Sequence, residues 1–595
     1  MKGALRRAIL RHPAAGAPDG VWWLFEDPVE SFVAATAEEV PDLLARVERA
    51  TESGLWSVGC VDYEAAPAFD PALRVRPRPV DSREPFASFS LFTAPQSREP
   101  VTMWQPAKLR DLRACLGVEE HAAAVAAIHA AIAAGETYQV NFTFVLEAGF
   151  DGDPEALFWR LAPASGAPHA AFLDLGESAL VSLSPELFFE RRGDLIVMRP
   201  MKGTRPRGRY LEEDERLASE LVNSPKERAE NLMIVDMIRN DLGKLAETGT
   251  VAVEKLLEAE RYPTVWQMTS TIAAQTRASL PELFRALFPC ASVTGAPKAR
   301  TMDWITRLES RPRGIYCGAI GWVAPGGLSC FSVAIRTAVV DCERGKLEYG
   351  VGSGVVWESQ ASAEYQECLT KGRALEAQPR TFSLFETMLW RPGCGVHLLD
   401  GHLSRLVTSA KFFGFQLDEL ALREIVTAEL ETLQWKETSR QRLRLELASD
   451  GRVTLTRKHF PSERRHWTVL LASRPVASQD TALFHKTTHR EIYDAALEEA
   501  RAAECDEAIL WNERGELTEG TRTNLILEMG GERLTPARDS GLLAGVFRQS
   551  LLDRRKVREA VLQKSDLVRA DRILLVNALR GWIPATLRSA RWRAP

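Results

Sequence analysis

Arg199-Pro-Met-Lys-Gly-Thr-Arg-Pro-Arg-Gly208 is the stretch from which the fold of this chain is read. Upstream of it, Ala179-Leu-Val-Ser-Leu183 and Glu186-Leu-Phe-Phe-Glu190 are rich in strand formers, Arg191-Arg-Gly-Asp194 is turn chemistry, and Leu195-Ile-Val-Met198 is a returning strand. The spacing predicts a β-hairpin that delivers Lys202 to a strand end. The following Gly203-Thr204-Arg205-Pro206-Arg207-Gly208 reads as a turn, where glycine permits a close ligand and the arginines offer forked donors for carboxylates.

Working outward, short apolar runs from Val21 to Phe86 alternate with Pro- and charge-rich turns around one helix, Thr36 to Ala50. Glu119 to Ala134 is a helix closed by Gly135, and Thr137 to Val145 alternates like a strand. A longer helix starts at Ser224 as N-cap, with Pro225 in its first turn, Glu227 three residues after the cap, and Leu232, Val235, Ile238 and Leu242 as its apolar stripe. Gly314 to Val356 reads as a meander of three strands, and a last helix runs from near Ser362 to about Ala377. The pattern is α+β, with antiparallel sheets flanked by helices. Pro379 ends that helix, so residues 1–375 are one expected domain, 376–380 a linker, and 381–595 a second domain with its own core.

Composition agrees with large packed cores: 45% of the 595 residues are apolar and 26% charged. A net charge of -5 argues against a nucleic-acid binder that relies on a basic surface. Nine cysteines without Cys-x-x-Cys spacing suggest reduced thiols in a cytoplasmic protein. The basic start, Met1 to Leu10, breaks at Arg11-His-Pro without a sustained apolar run, so neither a signal peptide nor a membrane span is expected.

No histidine lies between His169 and His397, so a site around Lys202 must do its proton chemistry with carboxylates and amines. Two glutamate pairs stand at i,i+3 spacing on expected helices, Glu227 with Glu230 and Glu364 with Glu367. Taken singly they have ordinary readings: Glu227 suits a capping box, and Glu367 suits an ion pair with Lys371. Facing one cavity, four carboxylates would repel unless a hard cation such as Mg2+ joined them.

Gly135-Glu-Thr-Tyr-Gln-Val-Asn141, Ser184-Pro-Glu-Leu-Phe188, Pro200 to Arg207, Ala229 to Leu242, Val293-Thr-Gly-Ala-Pro-Lys298, Cys317 to Trp322, Ile335-Arg-Thr337 and Gly352-Ser-Gly354 occur in an order that resembles the chorismate-utilising enzymes, in their aminodeoxychorismate synthase branch. The resemblance implies that Lys202 is a nucleophile toward carbon 2 of chorismate and that Glu186 protonates the departing 4-hydroxyl. Ammonia then enters at carbon 4. It also implies Mg2+ on Glu230 and Glu367, with Glu227 and Glu364 holding its waters, and substrate contacts from Thr204, Arg336, Gly352, Ser353 and Gly354. One departure is Gln267, where many relatives carry a histidine implicated in pyruvate expulsion.

In the second domain, Leu517-Thr-Glu-Gly-Thr-Arg-Thr-Asn-Leu525, Lys486, His402-Leu-Ser-Arg-Leu406, Ala544-Gly-Val-Phe-Arg548, Phe385-Glu-Thr387 and Asn577-Ala-Leu-Arg-Gly581 together resemble the fold-type IV, or class IV, pyridoxal-phosphate enzymes in their aminodeoxychorismate lyase branch. That likeness implies Lys486 as the cofactor-bearing lysine, Glu519 on the pyridine nitrogen, Asn524 beside the cofactor, and Arg405 with the amides of Val546 and Phe547 on the phosphate. Phe547 stands where many relatives have a hydroxyl residue. The expected activity is bifunctional: chorismate and ammonia to 4-amino-4-deoxychorismate, then to 4-aminobenzoate and pyruvate for folate. The alternative is an anthranilate-type first domain fused to a branched-chain or D-amino-acid transaminase. No glutaminase is visible in the chain, so a separate amidotransferase subunit is the expected partner, and the second domain is expected to dimerise.

Overall fold

The structure, a computed structural model, describes residues 3–12, 20–79, 84–101, 107–377, 382–436, 439–460 and 466–588. Residues 378–380 of the expected linker lie outside these. Two compact units result, one of residues 1–206 and 218–380, the other of residues 207–217 and 381–595. No helix among the described residues is long and apolar enough to cross a membrane.

The first unit is built on two ten-stranded antiparallel sheets. One runs from Gln139–Asp151 through Lys346–Val355, Thr337–Asp341, Ser178–Ser184, His169–Asp174 and Arg7–His12 to Val21–Phe25. The other runs from Met201–Pro206 through Val265–Gln275, Leu195–Arg199, Leu187–Arg192, Leu328–Val333, Ala319–Ala324 and Trp56–Val61 to Ala87–Phe92. Leu10, Leu173 and Leu180 of the first meet Val58, Leu187 and Ile320 of the second in one buried cluster, so the sheets pack face to face. Helices cover the outsides: Leu157 and Phe158 of Pro154–Ser165 with Cys368 of Ala361–Gly372 on one, and Val47 of Val40–Glu52 with Ile234 and Ile238 of Pro225–Gly243 on the other. Each such apolar side chain contributes about 1.5–3 kcal/mol by leaving water.

Four local expectations are corrected. Ser178–Ser184 does not join the hairpin of Leu187–Arg192 and Leu195–Arg199; it lies in the other sheet, and the chain crosses between sheets at Pro185-Glu186. Residues 314–356 hold four strands rather than a three-strand meander, because the chain crosses back at Ala334-Ile335-Arg336, where Arg336 takes a left-handed φ of 50°. The crossings run side by side: the Val333 amide donates to the Glu186 carbonyl at 3.1 Å, and the Leu183 amide to the Arg336 carbonyl at 3.0 Å. Lys202 is on no turn. Met201–Pro206 is a strand paired to Val265–Gln275, and its register slips between Met201 and Thr204, so Lys202 and Gly203 form a bulge in which Gly203 has φ 98°. Finally, Leu232 is 39% exposed, and Ile234 joins Val235, Ile238 and Leu242 inside.

The second unit combines a small antiparallel sheet with a larger mixed one. The small sheet holds Gly395–Val396, Leu384–Arg391, Gln441–Leu447 and Val453–His459, packed on the helix Leu399–Phe413 through Met388, Leu403 and Leu443. In the eight-stranded sheet Trp467–Leu471 pairs in parallel with Glu507–Trp511 and with Gly581–Leu587. Strands of mixed direction joined by helices give the α/β architecture expected of fold-type IV.

Candidate active sites

In the first unit the paired crossings set Glu186 and Arg336 side by side at the edge of the sandwich. Glu186 is 3% exposed and its Oε1 has no partner. Burial pushes its carboxyl up to about 7, against the pull of a hydrogen bond from Ser292 and the nearby Lys202 charge. A buried, half-satisfied carboxyl near that value can release a proton at neutral pH.

The bulge turns Lys202 inward. Burial lowers the tendency of its amine to hold a proton, with Glu186 and Glu230 pulling the other way. Its Nζ lies 3.3 Å from where Gly354 would carry a Cβ, and Nε2 of Gln139 lies 2.4 Å from that same point, so a side chain at position 354 would displace both. Asn231 fixes the backbone: its Nδ2 donates to the carbonyls of Lys202 and Met268, each at 3.3 Å, and its Oδ1 accepts from the Ser270 hydroxyl at 2.6 Å. Thr204 donates to Oε1 of Gln267 at 3.1 Å. Ser353 is buried with an unpartnered hydroxyl. Gln139, Asn231 and Ser292 went unassigned in the sequence. A polar residue that begins an apolar helix stripe, as Asn231 does one turn before Val235, was the available signal.

Ser224 caps the helix Pro225–Gly243 by accepting from the Glu227 amide, which fixes the first turn from which Glu227 and Glu230 project. Burial raises the Glu230 carboxyl, and Glu227 and Glu364 add to the shift. Glu367 is drawn 2.8 Å from Lys371, the ordinary pair its spacing allows, and Glu227 lies 3.7 Å from Arg205. Among the described residues no three His, Cys, Asp or Glu side chains are gathered closely enough to hold a metal. The donors are of the kind a hard cation takes, and Glu230 gains from neutralisation; Glu367 has to turn from Lys371 to join it.

In the second unit Lys486 faces Phe385, with its Nζ 4.9 Å from the ring centroid. Burial first, then the charge of Arg405, lowers its amine to about 7. Glu519 is 4% exposed and burial raises it to about 7, yet its oxygens are well served: Tyr493 Oη donates at 2.8 Å, the Leu543 amide at 3.1 Å and Asn524 Nδ2 at 3.1 Å. Glu386 is held down to about 2 despite its burial, because Arg405 and His402 both bond it. Arg405 gives Nε and Nη2 to Glu386 at 2.7 and 2.6 Å and Nη1 to the Ala544 carbonyl at 3.2 Å. Each terminal nitrogen keeps one N–H for another acceptor.

These residues fit pyridoxal phosphate. Val546 and Phe547 open the helix Val546–Asp553, where amides lack intrahelical acceptors. The cradle before that helix tolerates no side chain, since a Cβ on Gly545 would fall 1.8 Å from Asn524 Oδ1. The structure thus brings Lys486, Glu519 and Asn524 together, and Arg405 meets the loop leading into that helix. Tyr493 and Glu386 went unassigned in the sequence.

The model of the chorismate binding enzyme family matches residues 19–377, and this chain belongs to that family. A second family model, amino-transferase class IV, matches residues 383–587. Aminodeoxychorismate synthase component 1 of Klebsiella aerogenes is 42% identical over 261 residues, which are 44% of this chain and 57% of that protein. Anthranilate synthase component 1 1 of Haloarcula marismortui is also 42% identical, over 243 residues, 40% of this chain and 49% of that protein. The chain thus spans about half the length of these curated relatives. The crystal structure of anthranilate synthase component I from Streptococcus pneumoniae TIGR4 superposes with a TM-score of 0.53 at 21% identity, covering 62% of this chain and 92% of that one, which shows a shared fold.

Proposed function

We propose that the chain makes 4-aminobenzoate in two steps, aminating chorismate to 4-amino-4-deoxychorismate in the first unit and expelling pyruvate in the second. The observation that carries the first step is the amine of Lys202, held toward neutrality inside the bulge, with the protonatable Glu186 in its electrostatic reach. Lys202 adds to ring carbon 2, the double bond shifts, and the 4-hydroxyl leaves as water with the proton of Glu186. Ammonia adds at carbon 4 and the lysine is expelled, restoring the ring double bond. Arg336 and the Gly352-Ser353-Gly354 segment hold carboxylate, and Thr204 contacts the substrate. Glu230 and Glu367, with Glu227 and Glu364 beside them, would hold Mg2+, which would supply positive charge to balance these carboxylates and those of the substrate. The resemblance implies that a lysine at position 202 marks aminodeoxychorismate synthases, where anthranilate synthases usually carry alanine, and Lys202 therefore favours this reading over an anthranilate synthase, to which the chain is equally identical.

In the second unit Lys486 would bear pyridoxal phosphate, Arg405 and the amides of Val546 and Phe547 would hold its phosphate, and Glu519 with Asn524 would hold its ring. When bound, the cofactor supplies an electron sink. Lys486, near neutral, takes the proton whose removal lets pyruvate depart and the ring become aromatic. A separate amidotransferase supplies ammonia, as the component naming of the Klebsiella relative suggests. Lys202→Ala, assayed with chorismate, Mg2+ and ammonium, tests the first step: retained formation of 4-amino-4-deoxychorismate removes the nucleophile from the scheme.

A further inference from the structure

Residues 207–217 lie inside the stretch that the chorismate binding enzyme family model matches, yet they belong to the second unit. The chain leaves the first unit after Pro206 and re-enters it at Ala218. Asp214 closes this segment on itself. It is buried, its Oδ1 accepts from the Gly208 amide at 2.8 Å, and its two oxygens take Nε and Nη2 of Arg207, each at 2.7 Å. A Cβ on Gly208 would fall 2.3 Å from the Asp214 amide nitrogen, so the turn requires glycine. Arg207, which the sequence offered to a ligand carboxylate, is thus engaged by Asp214, and its Nη2 also donates to the Phe412 carbonyl at 2.9 Å. Arg209 forks onto Glu213 and reaches Asp539 at 2.9 Å.

The segment packs on the residues that immediately precede Lys486. Tyr210 lies with its ring centroid 5.5 Å from that of Phe484 and with Arg538 Cζ 3.6 Å from its own. His485 is buried against Phe412, centroids 4.4 Å apart, with Nε2 3.1 Å from the Arg209 carbonyl and Nδ1 2.9 Å from the Ser409 hydroxyl. A carbonyl only accepts, so Nε2 carries the proton; burial lowers the ring to about 3 and keeps it neutral, and Nδ1 then accepts from Ser409. One residue on, the Lys486 carbonyl accepts from the Phe385 amide at 2.9 Å. The cluster on which Tyr210 packs also contains Tyr493, the donor to Glu519.

We propose that Arg207–Leu217 is a positioning element of the second site, which fixes His485 through Tyr210 and the Arg209 carbonyl and, through His485, the direction of Lys486. The inference rests on the reading of Lys486 as the cofactor-bearing lysine. None of these residues touches the reacting atoms; they hold the backbone from which the lysine projects, and a displacement of about 1 Å at a reacting group is enough to slow chemistry. A segment inside the first family's match thereby governs the rate of the second reaction.

The test uses the full chain loaded with pyridoxal phosphate, as wild type, Tyr210→Ala, the conservative Tyr210→Phe and His485→Leu. Pyruvate release from 4-amino-4-deoxychorismate, the pH midpoint of the bound cofactor's visible absorption, and amination of chorismate are followed in each. The expected result is a fall in kcat for pyruvate release of about 10-fold in Tyr210→Ala and His485→Leu at nearly constant KM. The absorption midpoint moves by about half a pH unit or more in the same two variants, because the surroundings of the lysine change. Tyr210→Phe, which keeps the ring, retains both values, and amination is kept throughout, which separates repositioning from unfolding. Unchanged kcat and midpoint in Tyr210→Ala and His485→Leu overturn the inference, as does a fall in kcat with an unmoved midpoint; His485→Leu decides alone where Tyr210→Ala does not fold. Absence of pyruvate release in the wild type instead overturns the lyase reading, while the absorption midpoint still reports on the segment.

Discussion

Each unit sets a lysine near a deeply buried glutamate, and burial moves both pairs the same way. Glu186 and Glu519 are each raised to about 7, and the lysines Lys202 and Lys486 are each lowered. What differs is the hydrogen bonding. Glu186 leaves Oε1 bare, whereas Glu519 receives Tyr493, Asn524 and the Leu543 amide. Donors aimed at a carboxyl favour its charged form, and an empty oxygen favours the protonated one. With burial and protonation tendency alike, the two carboxyls differ in what their oxygens can still do: Glu186 offers a bare oxygen to a substrate, whereas the oxygens of Glu519 are already held in place by donors.

The largest expected effect divides the two lysines. Lys202→Ala lowers amination by about 1,000-fold or more while pyruvate release from supplied 4-amino-4-deoxychorismate is kept, and Lys486→Ala does the reverse, as two separate product assays will show. Glu186→Gln comes next, lowering amination by about 100-fold or more, since a general acid contributes on that scale. Its pH dependence has a definite sign. Glu186 donates only when protonated, so amination falls on the alkaline side of its profile as pH rises through about 7. Stability follows the same linkage: the folded state holds a proton that the unfolded carboxyl loses at lower pH, so the first unit is penalised progressively above the unfolded value and fully above about 7. Thermal denaturation at pH 8 should show Glu186→Gln more stable than the parent, by about 3 kcal/mol at most.

Tyr493→Phe is the smaller and sharper probe of the contrast. Removing one donor leaves Glu519 easier to protonate, so cofactor affinity falls by about 3–10-fold and the visible band of the bound cofactor shifts with pH at a higher midpoint. Smallest of all is Asn231→Ala, which frees the carbonyl of Lys202 and lowers amination by about 5-fold at nearly constant chorismate KM.

Local pattern made much of this legible. The Ser224 cap, the glutamate pairs and the strand alternation around Lys202 follow from side-chain chemistry within a few residues. The sheet crossings did not follow, because Ser178–Ser184 and Leu187–Arg192 are equally good strands and nothing local says that Pro185-Glu186 changes sheet. The bulge at Lys202 was hidden for a related reason: Gly203 serves a turn as readily as a register slip, and pairing with Val265–Gln275 decides. Tyr493 and Glu519 lie 26 residues apart and meet only in the folded unit.

The most direct measurement is product identification from purified Lys486→Ala given chorismate, Mg2+ and ammonium. Accumulation of 4-amino-4-deoxychorismate, abolished when Lys202→Ala is added, is the predicted result. Anthranilate as product, or amination that survives the double variant, would contradict the assignment of the first unit.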